Sequence, residues 1–193
     1  MRISFDTASV LQTFPPSMEG WREVPAPGEK QVQSYGMVAC CLGMFLVGSL
    51  LHGAFVPSGL LPTLLLPVVT LLLHEFIHAL STPNWGLSTK TIIGLKKSKG
   101  LLMPYVYYDG GQSLWRFLLT GLAPTIFLTV LPIMVIKFVP LDASYHARLG
   151  FVSLFNMGIS GGDLVICIWL ATHLDLRSSV RQNGWNLYWK AAM

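Results

Sequence analysis

The chain has 193 residues, of which 52% are hydrophobic and 11% charged, with a formal net charge of +4. Globular domains carry about 25% charged residues, so this composition excludes an ordinary water-soluble domain and points to a membrane protein. The three cysteines, Cys40, Cys41 and Cys167, all fall in apolar runs, which argues against a disulfide framework or a cysteine zinc site.

The first 33 residues mix Arg2, Arg22 and Lys30 with acidic residues and contain Pro15, Pro16, Pro25 and Pro27. They read as a short extended arm on the domain, with no apolar core that would mark a cleavable signal. Apolar stretches long enough to span a bilayer, about 20 residues each, follow near 35–56, 59–81, 114–139 and 147–172. The expected fold is an all-α polytopic membrane protein of four transmembrane helices, with 34–172 as the membrane domain. Spans one and two meet in a tight turn at Pro57-Ser58-Gly59 and are expected to be antiparallel neighbours.

Between spans two and three, Thr89 to Leu95 and Leu101 to Tyr108 are β-prone runs flanking Lys96-Lys97-Ser98-Lys99-Gly100. This is the pattern of a β-hairpin. The 173–193 tail carries Trp185, Tyr188 and Trp189 near Arg181 and Lys190, and reads as an interfacial anchor. Taking the spans in order, eleven lysines and arginines fall on the side of the termini and the hairpin, against Lys137 and Arg148 on the other. The positive-inside rule then places both termini and the hairpin in the cytoplasm, in a multi-pass protein of the cell membrane. The bilayer is one expected partner, and no nucleic-acid partner is expected.

Late in span two stands His74-Glu75-Phe76-Ile77-His78. An ionisable side chain in mid-membrane costs roughly 2.5 to 3.5 kcal/mol on insertion scales, so three in five residues imply partners. Residues i and i+4 share a helix face, so His74 and His78 can converge on one zinc ion with Glu75 beside them. A catalytic zinc takes three protein ligands and a water, so a third ligand is required. No glutamate follows Glu75, and the position six after His78 is Asn84, so neither a downstream glutamate nor a third motif histidine is available. His146 and His173 fall near span ends, whereas Asp163 alone among the later aspartates is intramembrane. Counted from Leu60 and Leu149, His74 and Asp163 are each 14 residues into spans that run in the same direction. That is about 21 Å at helical rise, so Asp163 is the expected third ligand. Gly158, Gly161 and Gly162 beside it permit close helix approach and local unwinding.

These residues resemble the site-2-protease class of intramembrane zinc metalloproteases, and more closely a bacterial family of small four-span zincin-like peptidases. The resemblance covers most of the chain: H-E-x-x-H in one span, Gly121-x-x-Pro124 in the next, and Asn156 followed by Asp163 in the last. It implies zinc held by His74, His78 and Asp163, with Glu75 as general base and a membrane protein or peptide as substrate. Asn156 is a weaker catalytic candidate, for a hydrogen bond to substrate or to a developing oxyanion. Two departures stand out: Gly161 and Gly162 precede the aspartate while Leu164 follows it, and there is no peptide-binding regulatory domain. The alternative reading is a non-proteolytic membrane protein whose His/His/Asp site holds a metal for structure or regulation.

Overall fold

The computed structural model describes residues 2–4, 20–25, 29–52, 59–98, 101–183 and 186–191. Pro57 and Ser58 of the expected first turn, most of the N-terminal arm and Trp185 lie outside them. The chain divides into two compact units. One comprises Lys30–His74 and Leu122–Val165; the other comprises Glu75–Gly121, Ile166–Met193 and the N-terminal residues.

The helices are α1 (Glu29–Leu50), α2 (Leu60–Ser81), α3 (Leu114–Thr125), α4 (Leu131–Phe138), α5 (Ala143–Ile159) and α6 (Gly161–His173). A π-helical turn, Ile126–Val130, joins α3 to α4. Among the described residues, three helical stretches are long and apolar enough to cross a membrane: Lys30–Leu50, Leu60–Ser81 and Leu114–Phe138. Their outer faces carry exposed apolar side chains such as Phe45, Leu61 and Leu64, as expected of helices in contact with lipid.

Two expectations about the spans need correction. The first helix starts earlier than expected, at Glu29, and ends at Leu50, with His52 at a φ of 50°; residues 53–56 of the expected stretch lie outside the described residues. The fourth is no continuous helix: α5 and α6 meet at a 57° bend, and the pair makes one span only if counted together. The bend falls at Ser160, just before Gly161-Gly162. Glycine costs a helix interior about 1 kcal/mol relative to alanine and marks where a helix readily breaks.

In the first unit those glycines also set the packing. A Cβ on Gly161 would run into the carbonyl oxygen of Gly36, and one on Gly36 would lie 3.2 Å from the Gly162 nitrogen. Further along, a Cβ on Gly43 would lie 2.3 Å from the Met157 side chain. So α1 rests its small-residue face directly on α5 and on the first turn of α6. The core beside this contact is Val47, Leu51 and Met157, with Ile133, Ile136, Leu154 and Leu164 packed around it.

The second unit holds more β-structure than an all-α class allows. Strands β1 (Arg2–Ser4), β3 (Thr91–Ser98) and β4 (Leu101–Tyr108) form one sheet in the order β1-β3-β4. The expected hairpin is β3–β4, antiparallel with Thr91 opposite Tyr108 and Ser98 opposite Leu101. The other sheet, β2-β7-β6-β5, consists of β2 (Arg22–Glu23), β5 (Gln112–Ser113), β6 (Ser179–Asn183) and β7 (Asn186–Lys190). The C-terminal tail therefore folds as a hairpin. Tyr188 and Trp189 pair in register with Arg181 and Val180, and the Arg22 guanidinium stands 6.0 Å from the Trp189 ring centre. Two five-residue runs separated by two residues, one a glycine, are the hairpin signal that the aromatic reading passed over.

The C-terminal end of α2 is tied down by side chains that satisfy its last carbonyls. Thr82 Oγ1 donates to Ala79 O at 2.7 Å, Thr120 Oγ1 to Ser81 O at 2.9 Å, and Arg116 Nη2 to Thr82 O at 2.9 Å. The start of α3 is thus fixed beside the end of α2. The turn that follows, Pro83–Gly86, holds Asn84 and Trp85 in left-handed geometry. Gly86 is required there, because its φ is +75° and a Cβ would lie 2.6 Å from Ala79 O.

Two predictions follow from these contacts. Gly161→Val forces a branched side chain against the Gly36 carbonyl and should destabilise the fold by about 1–3 kcal/mol, read as a lower Tm in detergent. Tyr107, which is buried and donates to Gln182 O at 2.8 Å, has its pKa pushed up to about 12 by burial first and by Asp109 second, with Arg181 opposing. Above pH 10 the unfolded chain releases this proton while the folded one retains it, so stability falls as pH rises from about 10 to about 12. Thermal melts across that range should show the fall in the wild type and a shallower one in Tyr107→Phe.

Candidate metal centre

The H-E-x-x-H segment lies in the last two turns of a helix rich in leucine, and its two histidines fall one turn apart on one face. His74 is 4% exposed; Glu75 and His78 are half-buried. Asp163 occupies the first turn of α6. Its Oδ2 stands 3.3 Å from His74 Nε2. His78 follows one turn along the same continuous helix, and one ligand atom from each of His74, His78 and Asp163 can be chosen so that all three lie within 4.8 Å of one another. This is the grouping that elimination had reached from the sequence.

Hydrogen bonds on the far side of each ring decide what these nitrogens can do. Asn156 is fully buried, and its Nδ2 donates to the Pro124 carbonyl at 3.1 Å and to Thr129 Oγ1 at 2.9 Å, with Ser160 Oγ at 3.3 Å. A backbone carbonyl only accepts, so the amide nitrogen must face Pro124 and the amide oxygen must face His74. His74 Nδ1 lies 2.9 Å from that oxygen and therefore carries a proton, which leaves Nε2 as the nitrogen that faces Asp163. The same reasoning applies to His78, whose Nδ1 is 2.8 Å from the carbonyl oxygen of Thr120. Both imidazoles thus carry a proton on Nδ1 and present Nε2 as the ligating nitrogen, the usual arrangement behind zinc-ligating histidines.

Both hydrogens of the Asn156 amide nitrogen are therefore taken up by protein acceptors, whereas an oxyanion contact of the kind expected from the sequence needs a donor. Asn156 orients His74 instead. Thr129 and Ser153 support it by reciprocal hydroxyl-to-carbonyl bonds of 3.3 Å, and Ser160 Oγ donates to the Asn156 carbonyl at 2.8 Å. The Thr120 carbonyl, Thr129 and Ser160 were not singled out from sequence. Pro124 offered a cue to the first of these, since a proline inside a helix leaves the carbonyl four residues earlier without its usual donor. Gly121 has a separate role in the other unit: a Cβ there would lie 2.5 Å from Cys167 Sγ, so the glycine lets α6 close on α3.

The donor set fits zinc. Two imidazole nitrogens and one carboxylate oxygen are the three protein ligands of a catalytic centre with one position open. An H-E-x-x-H helix with a carboxylate against its first histidine is the arrangement of a zincin-type peptidase site. A family profile described as "Putative zincin peptidase" matches residues 67–174, more than half of the chain, and the chain belongs to that family. Membership implies zinc. No curated protein and no solved structure matches the chain.

Proposed function

We propose that this protein is a membrane-embedded zinc peptidase of the site-2 type, hydrolysing peptide bonds of membrane-associated proteins or peptides near the cytoplasmic face of a bacterial cell membrane. The observation that carries the reading is the pairing of His74 Nε2 with the Asp163 carboxylate while both motif histidines are locked in the tautomer a metal requires.

His74, His78 and Asp163 would hold the ion, and zinc bound there supplies an acidified water and a polarised scissile carbonyl. Glu75, next to His74 on the same turn, accepts the proton of the attacking water and delivers it to the leaving amine nitrogen as the C–N bond breaks. Asn156 keeps His74 from rotating as charge builds at the site. A peptide bond inside a helix is shielded by its own hydrogen bonds, so the substrate must be extended before attack. The outer strand β4 offers backbone groups for adding such a segment as a further strand.

A structural metal site would be closed by a fourth protein ligand. Among the described residues the group contains three, which favours the catalytic reading. The charge distribution supports a cytoplasmic placement, since α2 reaches its motif late and ends on the lysine- and arginine-rich side.

Glu75→Gln should retain close to one zinc per chain in the purified protein and lower cleavage of co-expressed single-span substrates by about 10²–10⁴-fold. Asp163→Ala should bring zinc content well below one per chain. Unchanged cleavage in the first variant would remove Glu75 as the base, and a full zinc complement in the second would remove Asp163 as a ligand.

A further inference from the structure

We propose that Pro124 is a positioning residue for the metal centre, and that it holds His78 through a hydrogen bond its own backbone is unable to make. In a regular helix the N–H of residue 124 would donate to the carbonyl of residue 120. Proline has no N–H, so the Thr120 carbonyl is left without that donor inside an apolar helix, where an unpaired carbonyl is costly. The donor that takes its place is His78 Nδ1, at 2.8 Å.

Pro124 acts on the other histidine through its carbonyl. That oxygen accepts from Asn156 Nδ2 at 3.1 Å and so turns Asn156 Oδ1 toward His74 Nδ1, 2.9 Å away. One fully buried residue thus sits at the root of both braces. The two roles make different demands. Any residue at 124 supplies a carbonyl for Asn156, but proline alone withholds the N–H that would compete with His78 for Thr120. The π-turn that begins two residues later fits this division, because it lets the helix regain regular bonding beyond the disturbed turn.

The role of Pro124 rests on the reading of the site as a zinc centre, but its hydrogen-bond basis can be read without metal. The full chain, in detergent and labelled with ¹⁵N in the histidine rings, reports each tautomer by NMR. In the metal-free wild type both His74 and His78 should carry the proton on Nδ1, the less common form of a free imidazole. In Pro124→Ala, the new N–H reclaims the Thr120 carbonyl, so His78 should move to the Nε2–H form while His74 stays as it was. Asn156→Ala should do the reverse. Zinc affinity of Pro124→Ala, measured by chelator competition, should fall about 10–100-fold, and the visible bands of its cobalt form should shift.

A Pro124→Ala protein with the wild-type His78 tautomer, zinc affinity and cobalt spectrum would overturn the proposal. So would a wild type whose His78 carries Nε2–H, a result that does not depend on how the variant folds. If the wild type takes up no zinc while the tautomers change as described, the zinc reading falls, and what stands is that Pro124 leaves the Thr120 carbonyl to His78.

Discussion

An imidazole offers a lone pair to a metal only when its other nitrogen holds the proton, and the hydrogen bonds behind His74 and His78 impose that condition on both rings. In water the two tautomers interconvert and the ring turns freely. Within apolar helices each Nδ1 faces an acceptor, the Asn156 oxygen for His74 and the Thr120 carbonyl for His78. Everything nearby serves to keep those acceptors in place. Thr129, Ser153, Ser160 and Pro124 fix the amide of Asn156, while Arg116 and Thr120 fasten the end of α2 from which His78 projects.

The break between α5 and α6 follows from the same demand. A carboxylate in a continuous apolar helix would be far from any backbone N–H. Restarting the helix at Gly161 sets Asp163 in the first turn of α6. The glycines that interrupt the helix are also the ones that admit the Gly36 carbonyl, so α1 packs on the bend that presents the ligand. Small residues thus serve packing and ligand placement together.

Much of the outline was readable from residue order. The spans of α2 and α3 followed from apolar runs, the β3–β4 hairpin from two β-prone segments around a lysine-rich turn, and His74, His78 and Asp163 from the scarcity of other candidates. The parts missed were those whose signals were weak or shared. The β6–β7 hairpin was hidden by tryptophans that also suit a membrane interface. The bend at Ser160 was hidden because a glycine pair in an apolar run fits a straight, closely packed helix equally well. Asn156 was found, but with the wrong neighbours: a side chain with both donor and acceptor says nothing in sequence about which partners use it.

The sequence by itself determined which chemistry is affordable. Metal-capable side chains are so few, and so costly in an apolar run, that H-E-x-x-H and Asp163 single out a candidate ligand set without coordinates. What only the tertiary structure decided is the state in which those ligands are held. The tautomer of each histidine depends on a carbonyl or amide 42 or 82 residues away, brought within 3 Å by helix packing. Contacts of that range leave no periodic trace in the chain, so the sequence names the ligands and the packing makes them able to bind.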